Sequence, residues 1–352
     1  MYRYTIAALL MICVADAASA PRSLVSSQIE LGRSLFQDKN LSLDRSVACA
    51  SCHIEANAFT DSRPVSTGIA QRHGTRNAPS LLDLDSYTAY FWDGRVKTLE
   101  EQVLFPLLSA TEMGLAEPAD VLARIRENPD YLKAFKKLND VAPEALQVSD
   151  VAQAISSYEL SLTAVPTRVD NYLSGALSAL SAAEQEGLTL FRGKADCAQC
   201  HQIGARSAPL TDNDYHSSGI GMHAIAPKLS KLAHRLSQMP TLERYKEAQT
   251  DTEVAALGRY LVTLDPKDIG KFRTPSLRNV SRTAPYMHDG SVDTLEKAVD
   301  TELYYRGLDR GYPIILSDVE KRALLSFLRA LSITETVSEN AAPKRAQNEN
   351  VK

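Results

Sequence analysis

The spacing of hydrophobic residues along the chain predicts helices. In residues 148–162, and again in residues 316–331, hydrophobic side chains recur at intervals of three and four, which places them on one face of a helix. No long run of alternating hydrophobic and polar residues indicates a substantial sheet. The pattern therefore predicts a mainly α protein.

The same arrangement occurs twice along the chain. Ser27 opens a Ser-x-x-Glu sequence that is followed by Leu35-Phe36, and Ser181 opens a second one that is followed by Leu190-Phe191. Ser-x-x-Glu is the capping box that satisfies free amides at the start of a helix. Each half then closes with one of the two predicted helices. The 352 residues are also long for one hydrophobic core. We therefore expect two related domains, joined by a linker near residues 163–180.

The first twenty residues, MYRYTIAALLMICVADAASA, predict a signal peptide. Arg3 precedes an apolar stretch from about Ile6 to Val14, and small residues in Ala-x-Ala spacing follow it. Cleavage is expected after Ala20 or after Ala17. The mature protein is therefore expected in the periplasm, and no other segment reaches the length of a membrane span.

Composition and charge restrict the partners. The hydrophobic content of 44% is ordinary for a soluble globular protein. A formal charge of −4 gives no reason to expect nucleic acid or an anionic membrane as a partner. The polar residues 336–352 are predicted to be a disordered tail.

Four cysteines remain in the mature chain, and each pair is followed at once by a histidine. The two segments are Cys49-Ala50-Ser51-Cys52-His53 and Cys197-Ala198-Gln199-Cys200-His201. Paired cysteines alone would indicate disulfides, redox exchange or zinc. C-x-x-C-H instead indicates a c-type haem, because two thiols form thioethers to the macrocycle and the adjacent imidazole binds the iron. The sequence predicts two fused cytochrome c-like domains, residues 21–165 and 166–335, each with one covalent haem.

Further motifs make the chain resemble the bacterial di-haem cytochrome c peroxidases and their relative MauG. The resemblance extends over roughly residues 28–331. Besides the two haem motifs, it is carried by Arg76-Asn77-Ala78-Pro79, Phe91-Trp92-Asp93-Gly94-Arg95, the spacing of Gln102, Pro106 and Glu112-Met113-Gly114, Thr274-Pro275-Ser276-Leu277-Arg278-Asn279, and Ala284-Pro285-Tyr286-Met287-His288-Asp289-Gly290.

This resemblance implies that hydrogen peroxide reacts at the first haem, which is bound by Cys49, Cys52 and His53. Peroxide chemistry needs an accessible face of one iron and a nearby group that moves a proton. By position, the resemblance implies that the residues over that face are Gln102, Pro106 and the acid/base residue Glu112.

The resemblance also implies a path between the two haems and a cation site. Trp92 would lie between the haems and relay electrons. A calcium ion would lie between the domains, bound by the Asn77 side chain and by the carbonyl groups of Thr283 and Pro285. Oxygen donors of this kind suit calcium.

Three positions depart from the pattern of this family. Ile69 stands where many of the peroxidases have a removable histidine ligand, so the first iron is expected to be five-coordinate. Glu302 stands where the second haem has its distal ligand. A two-residue insertion would instead align Tyr304 there, and we favour Tyr304 over Tyr305 and Glu302. Ala195 stands where MauG has a surface tryptophan.

Three functions are compatible with these features. The first is an exported peroxidase that reduces hydrogen peroxide with electrons from a small c-type cytochrome or a cupredoxin. The second is a MauG-like enzyme that uses peroxide to oxidise Trp or Tyr side chains of a partner protein. The third is a non-enzymatic di-haem electron carrier, against which Glu112 and Ile69 both argue.

Overall fold

The computed structural model describes residues 22–204 and 208–333. The expected signal peptide, residues 1–20, and the expected tail, residues 336–352, lie outside the described residues. Within them the protein is mainly helical, as predicted, with one antiparallel pair of short strands. None of the described helices is both long and apolar enough to cross a membrane.

The helices are distributed over the two halves of the chain. The first half contains α1 (Arg22–Gln37), α2 (Leu99–Leu108), α3 (Pro118–Arg126), α4 (Pro129–Asn139) and α5 (Val148–Ser161). The second half contains α6 (Arg168–Leu173), α7 (Ala182–Arg192), α8 (Met222–Ile225), α9 (Leu229–Ser237), α10 (Thr241–Ala248), α11 (Thr252–Ala255), α12 (Tyr260–Thr263), α13 (Leu295–Arg310) and α14 (Asp318–Ala330). The strands are β1 (Tyr215–Ser217) and β2 (Lys271–Arg273).

In the first half, α1 and α5 cross at very close range. A Cβ atom added at Gly32 would lie 2.0 Å from the carbonyl oxygen of Ala154 and 2.8 Å from Cβ of Tyr158. Only glycine permits this approach of two helix backbones. The contact buries Phe36, whose ring meets the edge of the Tyr158 ring at 5.1 Å.

The second half repeats this crossing with α7 and α14. A Cβ atom added at Gly187 would lie 2.1 Å from the carbonyl oxygen of Ala323 and 2.7 Å from Cβ of Phe327. The rings of Phe191 and Phe327 are again 5.1 Å apart. The duplication seen in the sequence is therefore a duplication of one helix pair, and each pair organises its own core.

The two predicted capping boxes have different outcomes. At the start of α7, Ser181 and Glu184 form the predicted reciprocal bonds, with the Ser181 amide donating to the Glu184 carboxylate at 2.8 Å. The prediction at Ser27 is wrong, because α1 already begins at Arg22 and Ser27 lies inside the helix.

The second half also contains a third hydrophobic cluster that the sequence analysis did not predict. Helices α8 to α12 bury Leu236, Val254, Leu257 and Leu261 in a small core of their own. Phe105 of α2 packs against this cluster. The cluster therefore joins the second half of the chain to the segment that follows Trp92 in the first.

The expected linker is folded and forms ion pairs with the rest of the protein. It contains α6, and Asp170 of that helix pairs with both terminal nitrogens of Arg278 at 2.8 Å. Arg278 also lies 3.4 Å from Asp83 in the first half. One arginine of the Thr274–Asn279 motif thus connects the linker to both halves.

Candidate di-haem active site

Each C-x-x-C-H motif begins in a short 3-10 turn and ends in a half-buried, oriented histidine. Nδ1 of His53 lies 2.9 Å from the carbonyl oxygen of Phe59, and Nδ1 of His201 lies 2.9 Å from that of Leu210. A carbonyl only accepts, so Nδ1 carries the proton in both rings and Nε2 keeps its lone pair. Burial lowers the pKa of both histidines, which favours the neutral form that binds metals.

Two prolines of the sequence motifs help to hold these rings. The backbone of Pro79 contacts the His53 imidazole, and the backbone of Pro275 contacts that of His201. In both cases the interaction raises the histidine pKa and partly opposes the effect of burial. These roles were not predicted from the sequence, although both prolines lie in the motifs Arg76–Pro79 and Thr274–Asn279.

The four cysteines are available to bind a prosthetic group and are not joined in disulfides. All four are half-buried free thiols. Burial raises the pKa of Cys52 and of Cys200 to about 11. The thiols are neutral, and each pair is followed by a histidine whose Nε2 can bind a metal, as haem attachment requires. They do not form the disulfides that a C-x-x-C pair alone would suggest.

A cavity of about 250 Å³ lies beside the second motif. Cys197, Cys200 and His201 form part of its wall. Most of the remaining wall is apolar, which suits a macrocycle. The apolar lining includes Phe191, Ala195, Leu277, Val280, Leu295, Ala298, Val299, Leu303 and Leu328.

The first motif also lies close to a buried polar group that lacks a partner within the described protein. Burial raises the pKa of Glu159 to about 8, and its Oε2 atom accepts no hydrogen bond. Glu159 also acts on the pKa of Cys49, so it lies close to the first attachment site. An unpartnered buried carboxylate oxygen close to Cys49 fits a bound group there.

The three residues expected over the first haem lie on α2 and on the loop after it. Gln102 and Pro106 are four positions apart on α2 and so share one face of the helix. The chain then turns back, because the amide of Met113 donates to the carbonyl of Pro106 at 3.1 Å and that of Glu112 to Ser109 at 3.0 Å. The structure thereby brings Glu112 back to the end of the helix that carries Gln102 and Pro106.

The protein environment raises the pKa of the Glu112 carboxyl group above its usual value. Burial raises the pKa of its carboxyl group, while Arg95 and a hydrogen bond from Ser109 partly oppose that shift. Glu112 in turn contributes to the raised pKa of both Cys49 and Cys52. The carboxyl group therefore lies near the first haem motif in an environment suited to proton transfer.

Arg95 belongs to a charged cluster that the sequence analysis did not identify. The Asp93 carboxylate is fully buried and pairs with Arg95 at 2.9 Å and with Arg76 at 3.4 Å. The guanidinium of Arg95 lies 3.6 Å from the centre of the Phe91 ring. The motif Phe91-Trp92-Asp93-Gly94-Arg95 therefore positions a cation that acts on Glu112.

Ile69 is packed against the loop that carries Glu112. Its side chain is buried, and its amide donates to the Glu112 carbonyl at 2.9 Å. A Cβ atom added at Gly68 would lie 2.1 Å from the carbonyl oxygen of Thr111. The nearest histidine along the chain, His73, is exposed and lies 3.4 Å from Thr67. The loop at Ile69 thus offers an apolar side chain and no imidazole.

Trp92 is held by contacts with both halves of the chain. Its indole Nε1 donates to the carbonyl of Asn77 at 2.9 Å, and its own carbonyl accepts from the amide of Arg273 at 2.7 Å. The side chain lines the cavity that Cys197 and His201 also line. The same cavity reaches Pro79, which contacts the His53 ring.

The three expected calcium ligands, Asn77, Thr283 and Pro285, all line this cavity. The Asn77 amide nitrogen donates to the carbonyl of Pro64 at 3.1 Å, which leaves Oδ1 as the atom that can bind a cation.

The structure does not bring Tyr304 to the cavity. Helix α13 is continuous from Leu295 to Arg310. Tyr304 is 62% exposed, and its ring meets that of Tyr305 at 5.1 Å. Glu302 lines the cavity instead. This placement corrects our preference for Tyr304, because residues two apart on a helix point in nearly opposite directions.

Fold and site together define a c-type cytochrome with two haem-attachment sites. Comparison with known proteins agrees. Residues 26–178 match the family described as Di-haem cytochrome c peroxidase. The chain is 35% identical over 325 residues to cytochrome-c peroxidase IdrP1 of Pseudomonas sp. (strain SCT), covering 88% of this chain and 82% of that protein.

Two MauG-related proteins are also similar. Methylamine utilization protein MauG of Methylorubrum extorquens is 30% identical over 315 residues, which cover 88% of this chain and 79% of MauG. The crystal structure of a MauG-like protein associated with microbial copper homeostasis superposes with a TM-score of 0.71 at 32% identity, covering 89% of this chain and 91% of that one. The chain therefore belongs to the di-haem cytochrome c peroxidase family, and it is an oxidoreductase with two c-type haems.

Proposed function

We propose that this protein is an exported peroxidase that reduces hydrogen peroxide to water at the haem held by Cys49, Cys52 and His53. The observation that carries the proposal is the position of Glu112, a carboxyl group with a raised pKa that acts on both cysteines of the first motif. We further propose that residues 1–20 direct export to the periplasm, and that residues 21–165 and 166–335 each hold one haem.

The bound haems supply the iron that binds peroxide and the redox equivalents that reduce it. Glu112 accepts a proton from one peroxide oxygen and delivers it to the other, which then leaves as water. Reduction of one peroxide to two waters consumes two electrons and two protons in all. A carboxyl group serves both as acceptor and as donor when its pKa lies close to the working pH, and burial moves Glu112 in that direction.

Gln102 and Pro106 shape the space in which this transfer occurs. Pro106 has no amide hydrogen, so its exposed surface offers peroxide no competing donor. Gln102 offers an amide that donates to one peroxide oxygen and accepts from the other. His53 would bind the haem iron through Nε2, because its Nδ1 proton is donated to the carbonyl of Phe59.

Electrons reach this site from the second haem through Trp92. The indole is held on one side by Asn77 and its backbone on the other by Arg273, so its orientation is defined from both halves of the chain. The external donor is a small c-type cytochrome or a cupredoxin. A calcium ion bound by Asn77, Thr283 and Pro285 stabilises this arrangement, since all three line the cavity beside Trp92.

Ile69 determines how the reaction begins. A histidine ligand in this loop would have to leave before peroxide could bind, and an isoleucine cannot coordinate iron. We therefore expect the oxidised protein to react with peroxide directly, with no preceding reduction.

The second candidate function is MauG-like oxidation of Trp or Tyr side chains in a partner protein. It is favoured by Ile69 and by the similarity to MauG over 88% of this chain. The position of MauG's surface tryptophan is taken here by Ala195, which is 1% exposed. A protein substrate would therefore need a different route for its electrons.

One experiment separates these functions. Fully oxidised protein with both haems is mixed with one equivalent of hydrogen peroxide, with and without a reduced small cytochrome. Immediate peroxide consumption and two oxidised cytochromes per peroxide support the peroxidase. A long-lived oxidised state that does not react with the reduced cytochrome supports the MauG-like function. A protein that consumes no peroxide until it is reduced contradicts the expectation for Ile69.

A further inference from the structure

One face of α13 forms a wall of the cavity beside the second haem motif. The residues of the helix that line the cavity are spaced by three and four, as one helical face requires. They are Leu295, Ala298, Val299, Glu302, Leu303 and Arg306. Four are apolar, and Glu302 is the one acid that this face presents.

The carboxylate of Glu302 has no hydrogen-bond donor among the described residues. Its closest cation is Arg306, whose Nε lies 3.8 Å from Oε2, beyond hydrogen-bonding distance. The other nitrogens of Arg306 are committed to the carbonyl of Ser217 and, at 2.8 Å, to Asp309. A carboxylate that leaves water needs either hydrogen-bond donors or a metal ion.

Glu302 also lies close to the haem-attachment residues. It contributes to the raised pKa of Cys197 and of Cys200, and burial raises its own pKa. The side chain nevertheless keeps 44% of its surface accessible. Both observations hold if the accessible surface faces the cavity, which Glu302 lines, while protein atoms surround the rest.

His216, on the same cavity wall, is already paired. Its Nε2 is 2.7 Å from the Asp212 carboxylate, and both residues act on the pKa of His201. Tyr304 points to solvent.

We propose that the Glu302 carboxylate is the protein ligand on the face of the second haem away from His201, with Arg306 beside it as a positioning residue. The inference rests on the proposed function only in that a haem is bound at the second motif. An anionic oxygen ligand stabilises ferric over ferrous iron, because the negative charge offsets the extra positive charge of the oxidised metal. The second haem should then have a lower reduction potential than one with a neutral ligand.

The test uses the complete protein with both haems, in the oxidised state and without peroxide. We compare the wild type with Glu302→Gln and Glu302→Met by absorption and electron paramagnetic resonance spectroscopy and by redox titration. Glu302→Gln should change the ferric signals of one haem and shift its potential upward. Glu302→Met should produce the charge-transfer band that is characteristic of methionine bound to ferric haem.

Two variants serve as controls. Glu186→Gln removes an exposed carboxylate from α7, and Tyr304→Phe removes the phenol on the opposite face of α13. Both should leave the signals and potentials unchanged. If Glu302→Gln does not retain two haems per chain, Glu302→Asp replaces it, and its shorter carboxylate should change the same signals.

Unchanged spectra and potentials in the Glu302 variants would overturn the assignment, as would a change caused by Tyr304→Phe. Because these measurements need no peroxide, they are independent of turnover. A wild-type protein that fails to reduce peroxide would contradict the proposed function and leave the Glu302 result to stand by itself.

Discussion

The backbone amide of Ile69 donates a hydrogen bond to the carbonyl oxygen of Glu112 at 2.9 Å. Two loops that are more than forty residues apart in sequence are thereby joined at the residue proposed to move protons. Gly114 completes the contact, because a Cβ atom added there would lie 2.0 Å from Cδ1 of Ile69. The side chain of Ile69 therefore also supports the loop that carries Glu112.

Gly114→Ala should therefore lower both stability and activity. Gly114 has a φ of +75°, so alanine is strained there and also clashes with Ile69. Gly311 has the same φ of +75° but no atom within 4 Å of an added Cβ, which makes Gly311→Ala the matched control. The control should cost about 1–2 kcal/mol of unfolding free energy, and Gly114→Ala more. Chemical denaturation measures the unfolding free energy of both variants. Equal losses would show that the contact with Ile69 carries no additional energy.

Replacing Glu112 by Gln should slow peroxide reduction by about a hundredfold or more, because general acid/base groups typically contribute that much. Glu144→Gln, which removes an exposed carboxylate, should have no effect. Steady-state kcat/KM with a reduced cytochrome measures both variants. Full activity in Glu112→Gln would exclude Glu112 from proton transfer.

The pH dependence of the wild type should also identify Glu112. Burial raises its pKa, and it accepts the first proton as a carboxylate. Activity should thus fall as the pH drops through a value above that of an ordinary glutamate. This acidic limb should be absent from the residual activity of Glu112→Gln. An acidic limb that persists unchanged in the variant would assign it to another group.

Trp92→Phe should slow electron transfer between the haems and leave the first reaction with peroxide intact. Phenylalanine is harder to oxidise than tryptophan and cannot donate to the carbonyl of Asn77. Stopped-flow spectroscopy follows both steps. Tyr312→Phe, at an exposed site, is the control and should change neither. An unaltered second step in Trp92→Phe would show that electrons take a different path.

Removal of calcium should lower peroxidase turnover, and added calcium should restore it. Asn77→Ala should require a higher calcium concentration for the same turnover, since it removes the one proposed side-chain ligand. Asn40→Ala, in an exposed turn, is the comparison. Calcium titrations of chelator-treated protein measure the affinity directly. Identical titrations for both variants would exclude Asn77 as a ligand.

Glu159 should make stability depend on pH. Burial raises its pKa to about 8 in the folded protein, whereas the unfolded chain has an ordinary glutamate. The folded state therefore holds a proton that the unfolded state loses, so stability falls as the pH rises from the unfolded pKa to about 8. The slope is at most about 1.4 kcal/mol per pH unit. Glu159→Gln should remove this slope in urea titrations across that range, whereas Glu144→Gln should retain it.

Much of the site could be predicted because its chemistry is local in sequence. A haem attaches through five consecutive residues, so the positions of Cys49-Ala50-Ser51-Cys52-His53 and its counterpart need no knowledge of the fold. The helices α5 and α14 followed from hydrophobic spacing for a similar reason, since a periodic face is a property of a short segment. The start of α1 was predicted at the wrong residue. Ser27-Gln28-Ile29-Glu30 has the pattern of a cap, but it lies within a longer helix.

Sequence alone thus determined that this chain is mainly helical, duplicated and equipped with two haem-attachment motifs. Only the tertiary structure decided which side chains share a site. It joined Ile69 to the loop of Glu112, built a third core from α8 to α12, and placed Glu302 on the cavity face of α13 with Tyr304 on the opposite one. The reason is physical: a motif requires only neighbours along the chain, whereas the face that a helix buries depends on all the elements packed around it.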